Sequence, residues 1–304
     1  MADKLFHKGG GHNRAMTSKG VELLRLLRPH QWAKNLLAFV ALFASHRFAD
    51  PAALAASVQV FVALCLAASA VYVFNDAIDV AADRAHPHKR TRPFASGALS
   101  PRHAGWLIPV LLAGAVVAAY GLPHYALLGL LTYVALAAAY CLGLKRTLWL
   151  DVLVLAALYT LRILAGAFAI AVEPSPWLLA FAVFVFFSLA ALKRYVDLRE
   201  SDGDLPGRAY RAGDAPAVLG FGVAAAVAAV LVLALYLNSE QVRTLYAAPA
   251  WLWPACPALL YWLARVWTLA HRRELHADPV LFALRDPASL VLAVFLLALG
   301  ALAL

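Results

Sequence analysis

Asn75-Asp76-Ala77-Ile78-Asp79-Val80-Ala81-Ala82-Asp83 closes a long apolar run with three carboxylates. Aspartates three and four residues apart share one helical face, so a helix here would bring Asp76, Asp79 and Asp83 into one small volume. His88-Lys89-Arg90-Thr91-Arg92-Pro93 follows a few residues later. Hard oxygen ligands beside a basic clamp suit a diphosphate carried with Mg²⁺. In that chemistry the aspartates hold the metal, and Asn75 orients a carboxylate or a donor hydroxyl. Lys89, Arg90 and Arg92 then neutralise phosphate oxygens. The plainer alternative, a solvated helix end with ordinary flanking charge, fits poorly in a chain with only 17 Asp and Glu in 304 residues.

A second charged segment reads Lys193-Arg194-Tyr195-Val196-Asp197-Leu198-Arg199-Glu200-Ser201-Asp202-Gly203-Asp204. Asp197, Glu200 and Asp204 repeat the three-then-four spacing, although Gly203 and Leu205-Pro206-Gly207 signal a helix that is ending. Asp197 and Glu200 are thus a lesser metal-site candidate, facing the first cluster across a cavity, and 197–204 alternatively a mobile lid. Lys193, Arg194 and Tyr195 are phosphate-binding candidates. In Arg28-Pro29-His30-Gln31-Trp32-Ala33-Lys34-Asn35, Pro29 suits a helix start and Trp32 a membrane interface. Lys34 and Asn35 there are within reach of a phosphate, while His30 alone reads as an anchor. Lys145 and Arg146, followed by Asp151, form a very short turn that serves either topology or phosphate binding. Arg162 is a different case, because an arginine near a bilayer midplane costs at least about 2.5 kcal/mol. It must face a polar cavity, with Tyr159 and Gly166 a turn away on the same face.

The elements that position these residues follow from composition. Hydrophobic residues make up 63% of the chain, charged residues 14%, and mean hydropathy is +0.74. Such a chain is a polytopic membrane protein. Apolar runs at about 35–48, a short first span that begins nearer Val21, and at 52–74, 105–121, 124–144, 149–171, 176–194, 216–237, 249–269 and 288–304 predict an all-α bundle of nine transmembrane helices around a central cavity. Alternate connections hold 22 of the 26 Lys and Arg, with Arg47 and Arg243 on the other side. Basic residues concentrate on the cytoplasmic side, which predicts the N-terminus in, the C-terminus out and both acidic clusters cytoplasmic. The formal net charge of +9 is therefore insertion signal and not a nucleic-acid surface. Residues 1–19 read as a flexible cytoplasmic tail, in which His7 and His12 are isolated, and 20–304 as the transmembrane domain. Cys65, Cys141 and Cys256 show no ligand or disulfide spacing and read as core.

This arrangement resembles the UbiA-type superfamily of intramembrane prenyltransferases over nearly the whole chain. The resemblance rests on the N-D-x-x-D-x-x-x-D cluster after the second span and the charged cluster after the sixth. The finer pattern is similar to the decaprenyl-phosphate phosphoribosyltransferase branch: Arg28-Pro29-x-Gln31-Trp32-x-Lys34-Asn35, Lys89-Arg90-x-Arg92-Pro93, Leu142-Gly143-Leu144-Lys145, Arg162-x-Leu164-Ala165-Gly166 and Lys193-Arg194-Tyr195. The resemblance implies Mg²⁺, an active site on the cytoplasmic side of the inner membrane, and transfer of a 5-phosphoribosyl group from phosphoribosyl diphosphate to a polyprenyl phosphate. It leaves open the alternative of an isoprenoid diphosphate donor and an aromatic acceptor. The altered second acidic region, Asp197 with Glu200, favours the first and puts most metal binding on Asp76, Asp79 and Asp83. A transporter would carry its acids at midplane along an ion path, whereas these lie at the edge of a span. The expected partners are these substrates and the surrounding membrane lipids. The lipid-facing pattern leaves the oligomeric state open, a homo-oligomer included.

Overall fold

The computed structural model describes residues 10–85, 89–201, 204–205, 207–275 and 278–304, with side chains from residue 19 onward. His7, His88, Asp202, Gly203 and Pro206 lie outside the described residues, as does the side chain of His12. Among the described residues the chain is all helical and contains no strand. Six helical stretches are long and apolar enough to cross a membrane: Pro51–Ile78, Pro101–Ala118, His124–Leu142, Leu150–Ala169, Pro176–Glu200 and Ala212–Leu237. The chain is an integral membrane protein. These six fall on six of the nine predicted spans. The remaining three predicted spans fall on shorter helices, so the structure does not establish a count of nine.

Two compact units divide the chain, Met1–Ala138 with Ala165–Ala171, and Ala139–Leu164 with Val172–Leu304. In the first, α1 covers Gly10–Leu27, so helix begins within the segment expected to be a loose tail. A 3₁₀-helix over Pro29–Phe39 and the short α2, Val40–Ala44, follow. This is where a first continuous span was expected, and the reason for the break is local. Arg28 has left-handed backbone (φ 52°, ψ 57°), and Pro29 after it disfavours α geometry at Arg28. Ser69 fixes the break by donating to the Leu27 carbonyl (2.8 Å) while accepting from the Trp32 indole (3.0 Å).

Asp50 caps α3, Pro51–Ile78, by accepting from the amides of Ala52 and Ala53 at 2.9 and 3.3 Å, with Pro51 at the first helical position. The helix buries small residues, Ala53, Ser57, Ala63, Ala67, Ala68, Ser69 and Ala70, which allow close helix approach. It packs on α1, the 3₁₀-helix and α5, Ala104–Ala118. Leu26, Val73, Phe94, Leu107 and Leu111 form the core beneath its C-terminal end. The helix ends at Asp79, and α4, Val80–Ala85, resumes the course, with the Asp83 amide on the Asp79 carbonyl at 2.8 Å.

Helices α6, His124–Leu142, and α7, Leu150–Ala169, each contribute to both units. In the second unit α8, Pro176–Glu200, packs on α9, Ala215–Leu237. Both contact α11, Ala255–His271, which in turn meets α13, Pro287–Ala303. The short α10, Glu240–Leu245, and α12, Pro279–Ala283, lie in the connections. Asp286 caps α13 through the Ser289 amide (2.9 Å) and pairs with Arg265 at 2.8 Å.

Gly166 of α7 lies directly against the 3₁₀-helix. A Cβ there would meet the Ala38 backbone, with the carbonyl carbon at 2.7 Å. Replacing it with alanine forces the two backbones apart, and overpacking of this kind costs about 1–3 kcal/mol. Gly166→Ala is therefore expected to lower the thermal midpoint in detergent, measured by differential scanning fluorimetry, relative to Gly20→Ala, where a Cβ meets nothing.

Candidate functional site

Each unit carries one buried ionic cluster. In the first, Asp76 and Asp83 are 1% and 3% exposed. Arg92 Nη1 bridges them, at 3.1 Å from Asp76 Oδ1 and 2.7 Å from Asp83 Oδ2. Arg28 Nη2 meets both oxygens of Asp76, at 2.6 and 2.8 Å, and its guanidinium carbon lies 5.0 Å from the centre of the Tyr72 ring. The helix-face expectation is thus realised for Asp76 and Asp83. Asp79, the capping residue between α3 and α4, is half-buried, and the Asn75 carbonyl accepts its amide at 3.0 Å. Arg84 Nε, which donates to the Ala95 carbonyl (3.2 Å), helps fold the 89–96 segment back beside the acids. Lys89 and Arg90 sit exposed in the 3₁₀ turn Lys89–Thr91, next to the half-buried Arg92. Lys34 and Asn35 are both buried in the 3₁₀-helix, where Asn35 Nδ2 lies 3.3 Å from Cys65 Sγ. Among the described residues no three His, Cys, Asp or Glu side chains group as a metal-ligand set. The cationic positions at Asp76 are taken by guanidinium nitrogens.

The second unit centres on Asp151, fully buried at the start of α7. Its oxygens pair with Arg194 Nε (2.7 Å) and Arg208 Nη1 (2.6 Å) and accept from the Tyr140 hydroxyl (2.7 Å). Arg208 Nη1 also donates to the Tyr140 oxygen at 2.6 Å. Arg194, 2% exposed, pairs at 2.5 Å with Asp197, three residues along α8. Tyr210, 1% exposed, accepts the Trp149 amide at 3.3 Å and lies 5.7 Å beneath Arg194. Burial, reinforced by Asp151, pushes the Tyr210 phenol up to about 12, so it stays neutral.

The three-then-four spacing of Asp197, Glu200 and Asp204 does not give one helical face. α8 ends at exposed Glu200, and Asp204 lies in the following loop, where it accepts the Ala212 amide at 3.2 Å. Lys193 pairs with Asp278 (3.4 Å), and the Tyr195 hydroxyl meets His271 Nδ1 at 2.9 Å. Lys145 is buried in the Leu144–Arg146 turn. Arg162, 5% exposed, donates to the Leu158 carbonyl at 2.6 Å and lies 5.4 Å from the Tyr159 ring centre, so an aromatic face and a backbone oxygen both stand near its charge.

Arg28, Tyr140, Asp151, Arg208 and Tyr210 were not singled out from the sequence as site residues. One signal was available for Asp151, since a carboxylate beside an apolar span must be paired or lie in water.

The family model for the UbiA prenyltransferase family matches residues 36–299. The chain belongs to the UbiA family. Solved relatives agree on the fold. A UbiA homologue from Archaeoglobus fulgidus bound to GPP and Mg²⁺ superposes with a TM-score of 0.71 at 17% identity, covering 93% of this chain and 99% of that one. At such identity the likeness concerns the fold alone. Among curated relatives, the uncharacterised protein y4nM of Sinorhizobium fredii is 42% identical over 86% of this UbiA chain, which spans about half (52%) of that protein's length. The nodulation protein NoeC of Azorhizobium caulinodans is 38% identical, over 87% of each chain. The decaprenyl-phosphate phosphoribosyltransferase of Mycolicibacterium smegmatis is 39% identical over 58% of this chain and 57% of its own.

The Asp151 cluster ties the Arg208 loop of this UbiA protein to α6, α7 and α8. Removing one partner of a buried ion pair costs about 3–5 kcal/mol. Asp151→Ala is expected to lower the thermal midpoint and to open 204–211 to trypsin at Arg208. An unchanged digestion pattern by mass spectrometry would refute the tie.

Proposed function

We propose that this UbiA-family protein transfers a 5-phosphoribosyl group from phosphoribosyl diphosphate to a polyprenyl phosphate, releasing pyrophosphate. The choice of donor rests on its 35–39% identity to chains named decaprenyl-phosphate phosphoribosyltransferase. The side chains support the same reading. Asp76 and Asp83 are buried oxygen donors sharing one cationic nitrogen, so the point between them already favours positive charge. Carboxylate oxygens of this kind suit Mg²⁺: Asp76 and Asp83 would hold it, Asp79, which does not group with them among the described residues, would become a third ligand by moving toward them, and Asn75 would orient the group. When bound, the metal neutralises diphosphate charge and favours its departure.

The protein's own residues do the rest. Lys89, Arg90 and Arg92 bind the diphosphate and stabilise the negative charge that grows on it as the C1–O bond of the ribosyl donor breaks. C1 gains oxocarbenium character, and an oxygen of the polyprenyl phosphate forms the new C1–O bond. That phosphate is already anionic at neutral pH, so no strong general base is needed. Lys34 and Asn35 in the first unit, and Lys145, Arg162, Lys193, Arg194 and Tyr195 in the second, offer further partners for phosphate oxygens. Two phosphorylated substrates require more of these than one diphosphate does. Asp197 and Glu200 are at most an accessory metal site, because Asp197 already carries Arg194. The same reading includes nine spans, the N-terminus inside, and catalysis at the cytoplasmic face of the inner membrane.

A second reading, isoprenoid transfer to an aromatic acceptor, is favoured by the fold shared with homologues solved with GPP or DMAPP and Mg²⁺. Pyrophosphate release by the purified protein separates the two. Release is expected with phosphoribosyl diphosphate plus polyprenyl phosphate, to stop with EDTA, and to fall about 100-fold or more in Asp79→Ala. Release only with an isoprenoid diphosphate and 4-hydroxybenzoate would move the assignment to the second reading.

A further inference from the structure

The contact between Arg28 and Asp76 has an unusual form. A guanidinium facing a carboxylate commonly uses two nitrogens as a fork, one for each oxygen. Here the single nitrogen Nη2 straddles both oxygens, at 2.6 and 2.8 Å. That is the seat a cation takes when one carboxylate chelates it. The bridging position between Asp76 and Asp83 is held in the same way by Arg92 Nη1. A divalent ion can therefore reach Asp76 by bidentate contact only at the expense of one of these nitrogens, because positive charges on the same oxygens repel.

Arg28 is the one built to leave. Arg92 ties two carboxylates together, whereas the Arg28 nitrogen Nη2 spans the two oxygens of one, Asp76. Its backbone is in the left-handed region immediately before a proline, a strained conformation for a non-glycine residue that persists only where the surroundings impose it. Here Ser69 and Trp32 impose it through the Leu27 carbonyl. A resting place is also at hand. Tyr72 lies one turn before Asp76 on α3, and the guanidinium is already 5.0 Å from its ring centre, so Arg28 can slide onto the aromatic face without facing an apolar wall.

We propose that Arg28 and a divalent cation compete for the chelating seat on Asp76, so that Arg28 lowers metal affinity and metal loading releases Arg28. This inference rests on the reading of Asp76 and Asp83 as metal ligands. It differs from a purely orienting role for Arg28 in the sign of one effect. If Arg28 merely aims Asp76, its removal weakens metal binding; if it competes, its removal tightens binding.

Mn²⁺, which shares the preference of Mg²⁺ for oxygen ligands, serves as the probe, titrated by electron paramagnetic resonance into detergent-purified protein. The reference is the component of binding lost in Asp83→Asn. Arg28→Gln is expected to lower its Kd about tenfold or more, the scale of one charge-assisted hydrogen bond. Arg28→Lys, which keeps a single cationic nitrogen, should stay near the wild-type value. Equal or weaker binding in Arg28→Gln overturns the competition and leaves the metal site standing. Absence of any Asp83-dependent Mn²⁺ binding overturns the metal reading and the inference with it. Should Arg28→Gln not fold, the wild type decides the matter: phenylglyoxal modification of Arg28, quantified by mass spectrometry, must rise when Mn²⁺ is added. No rise overturns the proposal.

Discussion

A carboxylate taken out of water and left unpaired costs several kcal/mol, and in a chain of apolar helices this cost dictates much of the connecting structure. Asp76 and Asp151 are both at or below 1% exposed. Neither is neutralised by a neighbour in its own helix. Asp76 draws Arg28 from 48 residues upstream and Arg92 from 16 downstream, and Asp151 draws Arg194 and Arg208 from 43 and 57 residues away. The features that look irregular follow from these demands. The helix breaks at Arg28, the 89–96 segment turns back, and the loop after α8 folds down to deliver Arg208. Each acid thus organises chain that a regular helix would have carried elsewhere.

Much of this was legible beforehand, and what was not has a physical reason. Apolar runs announce membrane helices because a bilayer accepts backbone only when its hydrogen bonds are internal, and the six stretches long and apolar enough to cross a membrane fall on predicted spans. Helical spacing correctly put Asp76 and Asp83 together. It could not show that Arg28 would join them, because pairing between distant segments leaves no period in the sequence. The Asp197 spacing repeated the first pattern, yet Asp204 left the helix, as the glycine and proline nearby implied. Arg162 was expected in a polar cavity, and the surroundings the structure gives it include a carbonyl and a tyrosine face. The uninterrupted first span failed at one residue, where proline and a left-handed arginine replaced helix by 3₁₀ geometry.

Kinship and chemistry separate cleanly in this family. A TM-score of 0.71 at 17% identity means that helix packing has survived the replacement of most side chains. Packing of small residues along α3 tolerates such drift, since many alanine and serine combinations give the same close approach. Function resides in sites carried on a fold, and here many of the charged side chains stand at helix ends and in connections.

The length of α3 sets a depth. From its capping Asp50 to Asp76 the helix runs about 39 Å at 1.5 Å per residue, against a hydrocarbon slab of about 30 Å. Even tilted by about 20°, it outreaches that slab. Both of its acidic ends therefore stand at head-group level. For the transfer proposed above, that level is the stratum which a lipid phosphate, confined there by its tail, and a water-borne donor, barred from going deeper, would share.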